Sequence, residues 1–327
     1  MKITKCLTGS LIIVLSAFHS VISFAALAEE QGFTGQIAIM TGYTQQTSNL
    51  NTEGQKTRTG KLNKAASSEE SFLVMPLGNL QYTFGRDLNK QIFVGTGQYD
   101  LALQLSYSQA FNSGMVMSFA YLPSVLSDET WQDPYLLNDQ KKITDLSGNT
   151  IRFQVDDIAG SNFSLDLGYG TTKVDNEQSG STYSQSDQAL LNRNANSVYL
   201  TSAYQYSIDQ TSMLIPSLTY TSHSADGKAM SFDSYGGDLT YFKTIGSHQI
   251  AVTATYSYSS YDAVNPVFNK TREDNAYSLF AAYEQALGFG LDAWSFISFV
   301  GYSQSLSNID FYDENNLFVS FGGKYNF

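Results

Sequence analysis

The 327 residues hold 22 Tyr and 21 Phe against 2 Trp, with only 15% charged residues and a formal net charge of −12. That balance argues against a nucleic-acid binder and against docking on an acidic lipid surface, since both draw on an overall excess of cations. The single cysteine, Cys6, lies within the first 28 residues, so the rest of the chain has no thiol for a disulfide, a Cys-based metal site or thiol redox chemistry.

The chain opens with Lys2 and Lys5, a mostly apolar run over residues 7–23, and Ala26-Leu27-Ala28 ahead of Glu29-Glu30. A basic start, a short apolar stretch and an A-x-A site read as a secretory signal peptide over 1–28, cleaved to leave 29–327 as one domain. Its removal takes Lys2 and Lys5 away and moves the net charge from −12 to −14. After residue 28 no apolar run approaches the roughly 18 residues of a membrane helix. Hydrophobicity instead comes in short alternating pieces, the period of a strand with two different faces.

The first piece sets Phe33, Ile37, Ile39 and Tyr43 against Gln36, Ala38 and Met40. A polar stretch over 44–71 follows. The second carries Leu80, Tyr82 and Phe84 and ends at the turn 85–90. The third is short, near 91–96. Leu101, Leu103, Leu105 and Tyr107 mark the fourth; Met115, Met117, Phe119 and Tyr121 mark the fifth. A long stretch, 123–149, precedes Ile151, Phe153 and Val155. The turn 157–162 leads to Phe163, Leu165, Leu167 and Tyr169, and a Ser/Asn/Gln-rich stretch runs over 171–196. Strand eight carries Val198, Leu200, Tyr204 and Tyr206; nine, Leu214, Leu218 and Tyr220; ten, Tyr235, Leu239 and Tyr241. Strand eleven carries Ile250, Val252, Tyr256 and Tyr258, and twelve Tyr277, Leu279 and Tyr283. Thirteen covers 293–302, and the last is Phe318 to Phe327. The connections after even-numbered strands are short and most of the others longer.

An even number of alternating strands, wired by short turns and longer loops, predicts an all-β fold: a transmembrane antiparallel up-and-down β-barrel of about 14 strands, with 12 or 16 as alternatives. Tyr near the ends of the apolar faces suits the lipid headgroup level, where aromatic girdles sit. Closure is compulsory in lipid, because an unpaired backbone group there costs several kcal/mol, of the order of its transfer from water. The other face reads as polar, with Arg152, Asp156, Asp166 and Asp238 expected to line the lumen. Pro76 and Pro216 fall in or beside predicted strands, where proline removes a ladder bond.

At the end of the chain Phe321, Tyr325 and Phe327 resemble the C-terminal signal read by the barrel assembly machinery, with Gly323 departing from the usual large apolar residue. Gly32-Phe33-Thr34-Gly35, the stretch Leu80 to Gly85, Asp128 to Tyr135 (DETWQDPY) and Phe163 to Leu167 (FSLDL) resemble an uncharacterised family of outer-membrane proteins from marine Gram-negative bacteria, a domain of unknown function. The resemblance implies a barrel and supplies no activity.

No cofactor, metal or catalytic set stands out. Outer-membrane phospholipases carry His-x-Ser, but after His223 come Ser224 and Ala225, and Ser224 would point to the opposite face. His248 reads as a turn residue. A barrel this wide encloses space that side chains cannot fill. The expected function is therefore a passive outer-membrane pore for small hydrophilic solutes, with weak cation preference because inward acids outnumber cations. Trp131 and Asp133, in the long 123–149 stretch, are candidates for a constriction loop. The alternative is a non-transporting surface or adhesion barrel with ligand-binding loops; a hydrolase is the weakest reading. The expected partners are outer-membrane lipid, the assembly machinery and the solutes, with no nucleic acid.

Overall fold

The computed structural model describes residues 27–96, 102–124, 128–288 and 290–327. The expected signal segment, apart from Leu27 and Ala28, lies outside the described residues, as do Leu101 and the link 97–100.

Fourteen antiparallel strands close into one barrel. In chain order they are β1 (Gly32–Thr47), β2 (Ser68–Phe84), β3 (Lys90–Thr96), β4 (Leu103–Ala110), β5 (Val116–Pro123), β6 (Ile143–Asp156) and β7 (Phe163–Val174). Then come β8 (Ala195–Tyr204, resuming as Tyr206–Asp209), β9 (Ser212–Ala225), β10 (Phe232–Ile245), β11 (His248–Asn265), β12 (Lys270–Ala286), β13 (Trp294–Ser307) and β14 (Glu314–Asn326). Each pairs with its sequence neighbours, and β1 pairs with β14 from Gln36↔Asn326 to Thr47↔Asn315, so no edge is left. Phe327 extends the seam: its amide donates to the Gly35 carbonyl (3.0 Å) and Gly35's amide donates to its carbonyl (2.8 Å).

Alternation decides which side chains meet lipid. Ile37, Ile39, Phe72, Val74, Leu218 and Leu279 are exposed on the outer face. Rings border this apolar band. Near the loop end, outward tyrosines repeat one contact: Tyr121, Tyr169 and Tyr256 donate to the side-chain carbonyls of Asn149, Asn196 and Asn275, and Tyr220 donates to Asp233, each at 2.9 Å. Each acceptor sits on the next strand, two residues nearer the loops than the tyrosine's own partner. An apolar ring body with its hydroxyl aimed at the polar end marks a lipid–water boundary. Near the turn end Phe33–Tyr82 and Trp294–Tyr325 stack with centroids 4.7 and 5.0 Å apart.

The two prolines have different consequences. Gly35 bonds β14, so odd-numbered residues of β1 face β14 and even-numbered ones bond β2. Pro76, opposite Ile39, therefore turns its nitrogen away from β1, beyond the last pair of β2 with β3, Asn79↔Gly95, and no ladder bond between β1 and β2 is lost. Pro216 falls opposite Tyr204, on the side where β8 needs a donor, and β8 breaks at Gln205, whose amide keeps its bond to the Asn162 carbonyl on the β7 side.

The loop lengths differ from expectation. Loops after β9, β11 and β13 are brief (226–231, 266–269, 308–313), because those strands continue past the lipid boundary and take up residues that read as loop. Within 123–149, Asp128–Trp131 pairs with the start of β6, so that strand begins at Ile143. His248 is the first residue of β11, its Nδ1 2.8 Å from the Tyr283 hydroxyl.

Candidate functional site

The interior is divided. On β3 to β9 the inward side chains are mostly polar, and paired hydroxyls form rungs: Ser108–Ser118 and Thr201–Thr219, both at 2.8 Å. On β10 to β14, β1 and β2 the inward face is instead a packed apolar cluster that includes Met40, Phe242, Phe280, Ile297, Phe299 and Phe318, flanked by Leu73, Met75 and Leu77. The expectation of a polar inner face all round is therefore corrected. Met40 is 0% exposed. The sequence hides this because β2 reads Phe72-Leu73-Val74-Met75-Pro76-Leu77, apolar on both faces without alternation.

Arg152, Asp156, Asp166 and Asp238 all take inward positions. Arg152 grips Asp166 through Nε (3.0 and 2.9 Å) and Nη2 (2.5 Å), and the Tyr199 hydroxyl donates to the same carboxylate at 3.3 Å. Asp238 accepts from Ser217 (2.9 Å) and Thr255 (2.6 Å). Asp156 lies toward the turn end, opposite Val116. Two more inward bases are matched to acids, Arg272 with Asp274 (2.7 Å) and Lys324 with Glu284. Lys270, at the tip of β12, donates to the Asn308 carbonyl at 2.6 Å. The inward acids of the barrel strands are Glu69, Asp156, Asp166, Asp238, Asp274, Glu284 and Glu314, against Arg152, Arg272 and Lys324. Negative charge is in excess. At the turn end a hollow of ≈ 440 Å³ opens among Thr34, Gln36, Asn79, Gln81 and Asn326.

The loop end is covered. With L1 the loop after β1, L3 after β5, L4 after β7, L5 after β9, L6 after β11 and L7 after β13, six loops share one buried core: Tyr135, Leu191, Met230, Ile309, Phe311 and Tyr312, with Leu50, Leu62 and Phe268 packed on it. Tyr135 of L3 meets Phe311 of L7 (5.4 Å) and Phe268 of L6 (6.1 Å). Its hydroxyl lies 2.7 Å from that of Tyr312. Asn265, fully buried, donates to Tyr312 at 2.8 Å, and the Arg272 guanidinium stacks 3.7 Å from the Tyr312 ring. Burial pushes the Tyr135 and Tyr312 phenols up, so both stay neutral donors.

Trp131 and Asp133 belong to this lid. Asp133 accepts from the Ser181 amide (2.8 Å) and hydroxyl (2.7 Å) and from the Tyr135 amide (2.9 Å). Arg193 ties L4 to L3, donating to Glu177 (2.7 Å), the Trp131 carbonyl (2.6 Å) and Thr130 (3.1 Å). L4 also carries a short helix, α1 (Gln185–Leu190), capped by Ser184. The sequence reading missed Tyr312, Arg272 and Arg193. The available signal was Ile309-Asp310-Phe311-Tyr312, an apolar cluster between strands where solvated loop residues are the rule.

His223 faces inward with its Nδ1 2.7 Å from the hydroxyl of Ser197, its direct cross-strand partner, and its ring stacked on Phe232 at 4.7 Å. No carboxylate hydrogen-bonds the imidazole among the described residues, so no nucleophile–base–acid relay forms there.

A closed antiparallel barrel with an apolar outer band, a charged interior and a loop lid defines the class of porin-like membrane barrels. The family described as "Protein of unknown function (DUF2860)" matches residues 32–326, and this chain belongs to it. Comparison with curated proteins gives no match. Among solved structures, the chain is similar to an anion-selective porin from Comamonas acidovorans (9% identity, TM-score 0.46, covering 91% of this chain and 100% of that one). It is also similar to the CymD monoaromatic hydrocarbon channel (8%, 0.48, 91% and 89%) and to the outer membrane channel DcaP of Acinetobacter baumannii (8%, 0.44, 93% and 100%). At these identities and scores the likenesses carry no argument about what this chain conducts.

Proposed function

We propose that the chain is a channel of the bacterial outer membrane, exported through a cleaved signal peptide, that passes small hydrophilic solutes with a weak preference for cations. Its passage follows the polar half of the lumen, and the six-loop lid controls entry. Phe321, Tyr325 and Phe327 serve as the label for the assembly machinery. The observation that carries the selectivity is the inward charge: Arg152, Arg272 and Lys324 each lie against an acid, which leaves the fixed charge of the interior negative. Fixed wall charge of one sign concentrates the opposite ion in a narrow aqueous passage. The test is the reversal potential of purified protein in a planar bilayer under a KCl gradient. The reading expects a shift toward the potassium potential, reduced in Asp238→Asn. A shift toward the chloride potential sinks it.

A second reading, a non-transporting surface barrel that binds ligands with its loops, draws support from the aromatic lid core. Its discriminator is the absence of conductance from a barrel that is folded.

A further inference from the structure

L1 and L3 meet at a short joint. Thr57 bridges Gln140, the Lys141 amide donates to the Lys56 carbonyl (2.8 Å), and the Asn138 amide donates to the Arg58 carbonyl (2.8 Å). The joint gathers six cations: Lys56, Arg58, Lys61, Lys64, Lys141 and Lys142. Arg58 ties them together, its Nη2 donating to the Lys64 carbonyl at 2.6 Å and its Nε to that of Lys61 at 3.4 Å. None of the six makes an ion pair among the described residues. Elsewhere Arg152, Lys173, Arg193, Lys228, Lys243, Arg272 and Lys324 each lie against an acid, while Arg86 and Lys90, at the β2–β3 turn, and Lys270, at the tip of β12, make no ion pair among the described residues. The exposed acids of the same two segments are Glu53 and Asp139, and Asp139 is occupied by the Gln140 amide.

The crowding is costly within the joint. Lys141 is 6% exposed, with its ammonium 4.3 Å from the centroid of Trp131. Burial, and then the charge of Arg58, bring its pKa down to about 8. The buried indole N–H of Trp131 has no acceptor among the described residues. A chain with a net charge of −12 thus holds most of its unpaired described cations together at one place. The overall charge conceals this patch.

Topology places the joint. L1 leads into β2 and L3 leaves β5, so their contact spans the β3–β4 hairpin. β2 continues over Ser68–Gly78 beyond its last pair with β3, while the described parts of β3 and β4 end at Thr96 and begin at Leu103. Val94, Leu103 and Leu105 are exposed on the outer face there, so the apolar outer band reaches the described end of the hairpin.

We propose that the L1–L3 joint docks a phosphate-bearing glycolipid of the outer leaflet. This rests on the outer-membrane address proposed above but needs no channel activity, and membrane fractionation tests the address separately. The experiment uses the full barrel, folded in detergent, with lipopolysaccharide and phosphatase-treated lipopolysaccharide as probes. The exposed cations are replaced together in Lys56→Gln/Lys61→Gln/Lys64→Gln/Lys142→Gln, leaving Arg58 and Lys141 in the lid. Wild-type binding weakens with salt, and the variant and the treated probe each lower it at least about tenfold, as for loss of several charge contacts. Equal binding of the two probes by the wild type overturns the proposal, whether or not the variant folds. So does a heat-modifiable variant that binds like wild type. Competition by inorganic pyrophosphate at concentrations equal to the lipid assigns the patch to a free anion and also overturns it.

Discussion

Gly35 shows how one residue governs closure. A Cβ there would lie 2.6 Å from the Asn79 carbonyl oxygen and 2.8 Å from Cζ of Phe327, so the terminal ring has no room beside any side chain. Gly35→Val is expected to cost about 1–3 kcal/mol of barrel stability through overpacking. The measurement is the fraction of heat-modifiable barrel after refolding, which falls relative to wild type. Lys141 supplies a pH dependence of known sign. Its pKa is about 8 in the docked lid, against about 10.4 for a free lysine. Below about pH 8 it is protonated whether the lid is docked or not, and docking bears the full cost of the buried charge. Between the two values only the undocked lid holds the proton, so docking strengthens as pH rises, by at most about 1.4 kcal/mol per unit. Proteolysis of L1 and L3 therefore slows from about pH 7 to about pH 9, roughly one unit either side of the crossover, and Lys141→Met flattens the trend. A wild-type rate that increases over that range, once corrected for the protease, contradicts the assignment.

At the scale of elements, the strands were legible and the lid was not. Period-2 alternation, with Tyr near the end of most apolar faces, predicted fourteen strands in the right order, since each strand has one lipid face that must stay apolar. Boundaries near the loops were harder. Above the tyrosine boundary no apolar face is required, so the upper parts of β11 and β12 read as loop. The break in β8 depends on Pro216 in the neighbouring strand, which no local reading of β8 supplies. The lid escaped because its core is assembled from six separated segments contributing only a few apolar residues each. Its seams are specific. Arg193→Met leaves the buried Glu177 carboxylate without its cation, a loss of about 3–5 kcal/mol for a buried pair broken from one side. Faster proteolysis within 132–142 and 175–194, with the barrel itself unchanged in heat-modifiability, is the expected result. At Gly227 a Cβ would collide with the backbone of Leu190 and Asn192, so Gly227→Ala should open the L4–L5 seam in the same assay.

At the scale of the molecule, three zones follow one another along the barrel. The turn end offers a polar hollow, the middle divides into a packed apolar half and a polar half that holds the Arg152–Asp166 pair, and the loop end closes over an aromatic core. The four lumen residues singled out from sequence lie along or beside the polar half. The sequence could not say that the other half is filled, because inward Met and Phe look like outward ones when a strand is apolar on both faces. In the function proposed above, the polar half is an aqueous passage held shut by the lid. Single-channel recording compares wild type with Tyr135→Ala/Tyr312→Ala, which removes the ring pair at the middle of the lid core. Brief or rare openings are expected for wild type and longer, more frequent ones for the variant, both reversing toward the potassium potential in a KCl gradient. Silence from both proteins, inserted and heat-modifiable, would contradict it.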